Sequence, residues 1–145
     1  MVKKRNNRQD AIRDIVRGKS IHTQRALVDE LQAIGFNCTQ ATVSRDIADM
    51  GLHKLSEGYY VLAEDLHLQH MVSEFVVTVD RAENLIVVKS QPGTAPGVAA
   101  AIDAAALPEA KGSVAGNDTV LVIAGSAEAA QDIVNLVNKL RDTRK

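Results

Sequence analysis

The stretch Thr39-Gln40-Ala41-Thr42-Val43-Ser44-Arg45-Asp46-Ile47-Ala48-Asp49-Met50 decides how the N-terminal third is read. At about 100° per residue, Val43, Ile47 and Met50 fall on one narrow face, which has to be the buried one. The opposite face presents Ala41, Ser44, Arg45 and Ala48, with Gln40 and Thr42 near its edges and the acids Asp46 and Asp49 at its flanks. Such a surface is unusual for a helix that faces only water. Small side chains let a helix approach a duplex closely, and Ser, Thr, Gln and Arg are types that bond phosphates and base edges. Thr39 is the expected N-cap, and the unpaired N–H groups behind it favour an anion near Thr39 and Gln40. Gly51 is the expected stop.

Working outward from this helix, two more precede it. Asn6 or Asn7 is expected to cap the first, which carries Ala11, Ile12, Ile15 and Val16 on one face and stops at Gly18. Thr23 caps the second, whose stripe is Leu27, Leu31 and Ile34, with Gly35 at its end. Phe36-Asn37-Cys38 is the short turn into the third. Beyond Gly51, the β-prone runs Leu52–Ser56 and Tyr59–Leu62 flank Glu57-Gly58 and predict a hairpin. Three helices and a hairpin make a winged helix-turn-helix, so residues 1–63 are expected to bind double-stranded DNA.

Composition agrees. The chain has 145 residues and a net charge of -1, but residues 1–55 hold ten Lys/Arg against six Asp/Glu, and the remainder seven against twelve. A basic first third joined to an acidic remainder suits a polyanion-binding module attached to a different one. Hydrophobic residues are 46% and aromatics 3%, so the cores are aliphatic. The single cysteine, Cys38, allows no intrachain disulfide and fits a reducing compartment. The polar N-terminus lacks a secretory pattern and no apolar run is long enough for a bilayer, which predicts a cytoplasmic protein without membrane contact.

Residues 64–71 read as a linker, with a helical turn at most. Glu64, His67 and His70 would share one helical face, but no fourth ligand is evident and no metal is expected. From Val72 the pattern becomes strand-like. Phe75, Val77 and Val79 alternate with polar residues, Val76 being apolar on the outer face, and the turn Arg81–Asn84 leads to Leu85–Val88, apolar throughout and expected to be buried on both faces. Thr94 caps an alanine-crowded helix to about Ala106, with Pro96 in its first turn. Strands Gly112–Ala115 and Thr119–Ala124 flank the turn Gly116-Asn117-Asp118, and Ser126 caps a last helix with the stripe Ile133, Leu136, Val137 and Leu140. The order β-β-α-β-β-α over residues 72–145 predicts an antiparallel sheet with helices on one face, so the whole chain is α+β with two domains. An uncovered sheet face and alanine-rich helix faces in so small a domain favour self-association. No nucleophile–base pair, glycine-rich phosphate loop or metal spacing suggests an enzyme.

Thr39 to Asp46 resembles the recognition-helix signature of bacterial arginine repressors. The resemblance implies operator contact by Ser44 and Arg45, with Thr39, Gln40 and Thr42 beside them. It extends to the C-terminal half. Gln91-Pro92-Gly93-Thr94-Ala95 resembles that family's helix opening. Gly112-Ser113-Val114-Ala115-Gly116-Asn117-Asp118-Thr119 resembles its acidic turn. These imply trimers that pair into hexamers and L-arginine as effector at the interfaces, near Asp103, Ala115, Gly116, Asn117, Asp118 and Thr119, with no other cofactor. Arginine occupancy would strengthen operator binding and shut down arginine biosynthesis genes.

Two positions depart from the family pattern. Asn117 stands where the first acid of a pair is usual, and Pro96 where Gln or His is usual. An amide in place of a carboxylate removes a charge-assisted contact, roughly 1.5–3 kcal/mol or one to two decades of affinity. The alternative is therefore a regulator that is effector-independent, answers another ligand, or serves as a partner subunit of a paralogue.

Overall fold

The computed structural model describes residues 2–141, with side chains from residue 7 onward. The chain divides into two compact units, Met1–Ala63 and Glu64–Lys145.

The first unit holds α1 (Val2–Gly18), α2 (Gln24–Ala33), α3 (Gln40–Met50), β1 (His53–Lys54) and β2 (Tyr60–Val61). Helix α1 begins at Val2, so Asn7 lies inside it and the expected cap at Asn6 or Asn7 is not made. Lys and Arg are good helix formers and carry the helix back past the point where its apolar stripe begins. Thr23 does cap α2, its Oγ1 accepting from the Ala26 N–H at 2.9 Å. Ile34 is not part of the buried stripe. The helix stops at Ala33, Ile34 leaves helical geometry at ψ 15°, and its side chain is 58% exposed. Ile12, Val16, Leu27, Leu31, Val43, Leu52, Tyr60 and Leu62 form the core. Strands β1 and β2 pair antiparallel through Lys54 and Tyr60, and the Tyr60 N–H also donates to Ile21 O at 2.9 Å, tying the wing to the α1–α2 connection.

The second unit opens differently from the sequence expectation. After a 3₁₀ turn at Ala63–Asp65, residues expected as linker and first strand form α4 (Leu66–Phe75). Leu68 and Val72, four apart, are its buried residues, a spacing that a short window of mixed polarity conceals. The strands are β3 (Val76–Ala82), β4 (Leu85–Ser90), β5 (Ala110–Ala115) and β6 (Thr119–Ala124), with α5 (Ala95–Ala104) and α6 (Ala127–Arg141). The predicted β-β-α-β-β-α order is present, preceded by α4. The sheet is antiparallel throughout, in the order β3-β4-β6-β5.

Among the described residues of this unit, the helices cover one sheet face. Ile86, Val88, Val120, Val122 and Ala124 are buried, whereas Leu85, Val87, Leu121 and Ile123 are half-buried on the other face. Strand β4 is therefore not buried on both sides. Register aligns Val87 with Leu121 and Leu121 with Val114, whose side chain is 64% exposed. In β3 a bulge between Val76 and Thr78 shifts the alternation: Val77 is 53% exposed and Val76 half-buried, the reverse of the expectation, whereas Val79 beyond the bulge is half-buried as expected.

Capping separates α5 from α6. Ser126 Oγ accepts from the Ala129 N–H at 3.1 Å. Thr94 makes no such bond; its hydroxyl donates backward to Gln91 O at 2.6 Å, and α5 ends at Ala104. The alanine-rich helix is used inside the chain, since Ala95, Ala99, Ala101 and Ala105 are buried and α4 packs on it. A Cβ at Gly97 would stand 3.0 Å from Met71 Cε, which measures how closely α4 approaches. Helix α4 takes up part of that alanine-rich surface, and Ala100, Ala104 and Ala106 stay exposed.

Two measurable consequences follow from burial. Lys139, on α6, is lowered to about 8 by desolvation, which the charge of Asp65 offsets only in part. The unfolded chain then binds more protons than the folded one between about pH 8 and 10.5, so stability rises with pH across that window. The expected gain is on the order of 1–2 kcal/mol, discounted for the partial exposure of the ammonium group. Thermal melts from pH 7.5 to 10.5 should show the rise, and Lys139→Met should flatten it. Cys38 is buried in the core of the first unit, and burial pushes its thiol up. It should react with a disulfide reagent at least tenfold more slowly in the native protein than in guanidinium; equal rates would contradict its placement.

Candidate nucleic-acid interface and effector turn

Helix α3 is fixed at both ends by residues that the sequence supplies. Thr39 is extended at φ -109°, ψ 167°, and its Oγ1 accepts from the Thr42 N–H at 3.3 Å. The two threonine hydroxyls lie 3.0 Å apart, so they sit together at the positive end of the helix. Gly51 closes the other end in the left-handed conformation at φ 67°. Between them Val43 is buried, and Ile47 and Met50 pack on the same core. Gln40, Ala41, Ser44, Arg45 and Ala48 are exposed, and Thr42 is half-exposed. The structure thus gathers Thr39, Gln40, Thr42, Ser44 and Arg45 on one accessible surface.

Asp46 is where the angular reading fails. It lies about 60° from Val43 on a helical projection, and it is 1% exposed rather than at the flank of the solvent face. Arg8 of α1 reaches it with a fork: Nε donates to Oδ2 at 2.5 Å and Nη2 to Oδ1 at 3.1 Å. Gln9 Nε2 donates to Oδ1 at 3.2 Å. The bond to Asp46 holds the Arg8 guanidinium above its usual range. Removing one partner of such a buried pair leaves an uncompensated charge, which costs about 3–5 kcal/mol. Arg8 and Gln9 are absent from the sequence-derived site, and the only signal for them was the closeness of Asp46 to the buried arc. Arg8, Thr42, Arg45, Asp46 and Asp49 line one shallow cleft beside the exposed face.

In the second unit, the turn between β5 and β6 is stitched to the loop before α5. Asn117 O accepts from the N–H groups of Gly93 at 3.1 Å and Ala95 at 3.3 Å, and Asp118 O accepts from Ser90 N–H at 2.8 Å. Gly116 N–H donates to Thr119 O at 2.8 Å. The side chains are ordered by the same turn. Thr119 Oγ1 donates to Asp118 Oδ1 at 3.0 Å and accepts from Lys89 Nζ at 3.0 Å. Asn117 and Asp118 are exposed, and Ala115 is half-buried. Asp103 is held separately: Ser113 Oγ stands 3.0 and 3.1 Å from its two carboxylate oxygens. The loop Gln91–Ala95 and the turn Gly116–Thr119 therefore form one surface, with Asp103 anchored to β5 at the far end of its helix.

Among the described residues, no three His, Cys, Asp or Glu side chains are grouped to hold a metal ion, and no helix is long and apolar enough to cross a membrane.

Comparison with known proteins gives a consistent picture. The chain is 44% identical over 135 residues to an arginine repressor of Thermus thermophilus, covering 86% of this chain and 82% of that protein. Identity to the arginine repressor of Carboxydothermus hydrogenoformans is 42%, covering 88% and 92%. For that of Symbiobacterium thermophilum it is 43%, covering 97% and 99%. Residues 3–68 match the family model described as arginine repressor, DNA binding domain, and residues 72–139 match that described as arginine repressor, C-terminal domain. With both domains matched in this order along nearly its whole length, the chain belongs to the arginine repressor family.

Proposed function

We propose that this protein is an arginine-responsive transcriptional regulator in which residues 1–63 bind operator DNA and residues 64–145 bind the effector and assemble the oligomer. The exposed surface of α3 is the observation that carries the reading. Gln40, Ser44 and Arg45 are exposed beside small alanines, whereas Asp46 is turned inward and neutralised by Arg8. In the major groove, Ala41 and Ala48 permit close approach, and Arg45 can fork onto guanine O6 and N7 or hold a phosphate. Thr39 and Thr42 offer hydroxyls where the helix dipole favours a phosphate. Family membership favours this reading over an effector-independent or partner-subunit role.

For the effector, L-arginine brings a guanidinium and an α-ammonium, both donors. Asp118 offers a carboxylate whose Oδ1 is oriented by Thr119, leaving Oδ2 to accept a charge-assisted bond. Asn117 offers only its amide oxygen at the neighbouring position. Ala115, Gly116 and Thr119 shape the turn, and Asp103, held by Ser113 at the other end of α5, joins the effector site only through the family resemblance. The row Leu85, Val87, Leu121 and Ile123, with Val114, is left half-buried or exposed among the described residues of its unit and suits a covering partner. A homo-oligomer, as a trimer or a hexamer made from two, supplies it.

Two experiments test the proposal. Arg45→Ala should weaken binding to an operator duplex by about ten- to a hundredfold, equivalent to ~1–3 kcal/mol, with the oligomer unchanged by light scattering. Unaltered operator affinity would remove α3 from the interface. Titration calorimetry with L-arginine should give saturable heat that disappears in Asp118→Ala and tightens by one to two decades in Asn117→Asp. No heat at millimolar arginine in the parent protein would refute the effector assignment.

A further inference from the structure

We propose that Arg8 is a positioning residue for sequence discrimination, locking the rotation of α3 through its fork on Asp46 without touching DNA. The inference rests on the reading of α3 as the DNA reader. Helix α3 is anchored in three ways: the Thr39 cap, the apolar contacts of Val43, Ile47 and Met50, and the Arg8–Asp46–Gln9 cluster. Apolar contacts are non-directional and tolerate a small roll or slide of the helix. A two-point guanidinium–carboxylate fork does not, because both N–H···O vectors must stay aligned. Asp46 is the chain neighbour of Arg45, so any roll that shifts one side chain shifts the other. Base readout depends on where Arg45 and Ser44 point, whereas non-specific attraction to phosphates depends mainly on charge.

Arg8 lines the same cleft as Thr42 and Arg45, so direct phosphate contact is the competing role. Two observations oppose it. Its Nε and Nη2 are both committed to Asp46, and its side chain is only 17% exposed. Gln9 adds a second donor from the same helix to the same carboxylate oxygen. The cluster therefore resembles a fixed strut between α1 and α3 more than a surface cation.

The test measures full-length protein on two duplexes of equal length, one selected by the parent protein from a random pool and one of unrelated sequence, by fluorescence anisotropy between about 50 and 200 mM salt. The variants are Arg8→Lys, Arg8→Gln, Asp46→Asn and Arg8→Gln/Asp46→Asn, each checked by circular dichroism and melting. Arg8→Lys keeps the charge but loses the fork. It should lower the specific-to-non-specific affinity ratio by about tenfold or more, with non-specific affinity within about twofold of the parent and the salt slope unchanged. Asp46→Asn should lower the ratio similarly, and the double variant should lose no more than the worse single one, as expected for one shared interaction.

An unchanged ratio in Arg8→Lys and Asp46→Asn overturns the proposal. So does a uniform loss on both duplexes, and a salt slope in Arg8→Gln that falls by about one would identify Arg8 as a phosphate contact instead. If Arg8→Lys fails to fold, Asp46→Asn, which keeps the side-chain shape, decides on the same criteria. Arg45→Ala separates the two levels. If it leaves affinity for the selected duplex intact, the reading of α3 has failed. If it loses affinity while Arg8→Lys keeps the ratio, only the positioning role has.

Discussion

A carboxylate removed from water must find a partner, and in the N-terminal unit that requirement ties the first helix to the third. Asp46 is nearly as buried as Val43, yet it is charged. Leaving it unpaired would cost several kcal/mol, a large share of the stability of a domain this size. Arg8 and Gln9 satisfy it from α1. The consequences reach past electrostatics. With Asp46 directed inward, α3 presents small and hydrogen-bonding groups and Arg45 to solvent, with Asp49 its one exposed acid, near the C-terminal end. The N-terminal Thr39 cap and the C-terminal Gly51 then set where this surface begins and ends.

The C-terminal unit solves a different problem. A four-stranded antiparallel sheet has two faces, and α5 and α6 cover one. Helix α4 packs against α5 and α6, approaching α5 as closely as Gly97 allows. On the other sheet face the aliphatic row Leu85, Val87, Leu121 and Ile123 stays half-buried among the described residues of this unit. Order within the unit is thus complete on one side only, which is the geometry of a component made for assembly.

How much of this was legible in the sequence follows the range of the interactions. Thr23, Thr39, Gly51 and Ser126 act within four residues of themselves, and their roles could be read directly. The strand and helix order of the second unit was legible because its apolar periodicity is strong. The misreadings have longer reach or sit at a change of period. Arg8 meets Asp46 across 38 positions, so neither residue announces the other. Helix α4 gives way to β3 at Val76 without a Gly or Pro, which made Val72–Phe75 look extended. The bulge between Val76 and Thr78 inverts the facing of Val76 and Val77 and leaves Val79 as read. Of the candidate site, the exposure of Gln40, Ser44 and Arg45 on α3 was legible by angle and the turn at Gly116–Asp118 by its residue types; the Arg8–Asp46 contact behind α3 was not.

The turn at Asn117 has an evolutionary consequence. Its structural duties belong to the backbone: the carbonyl receives Gly93 and Ala95, and the neighbouring carbonyl of Asp118 receives Ser90. None of these bonds uses the side chain of residue 117. Substitutions there can change what the surface recognises while the loop keeps its shape. If this turn receives the effector as proposed, ligand preference can drift there by single mutations with little penalty in folding, and a lineage could retune its signal without rebuilding the domain.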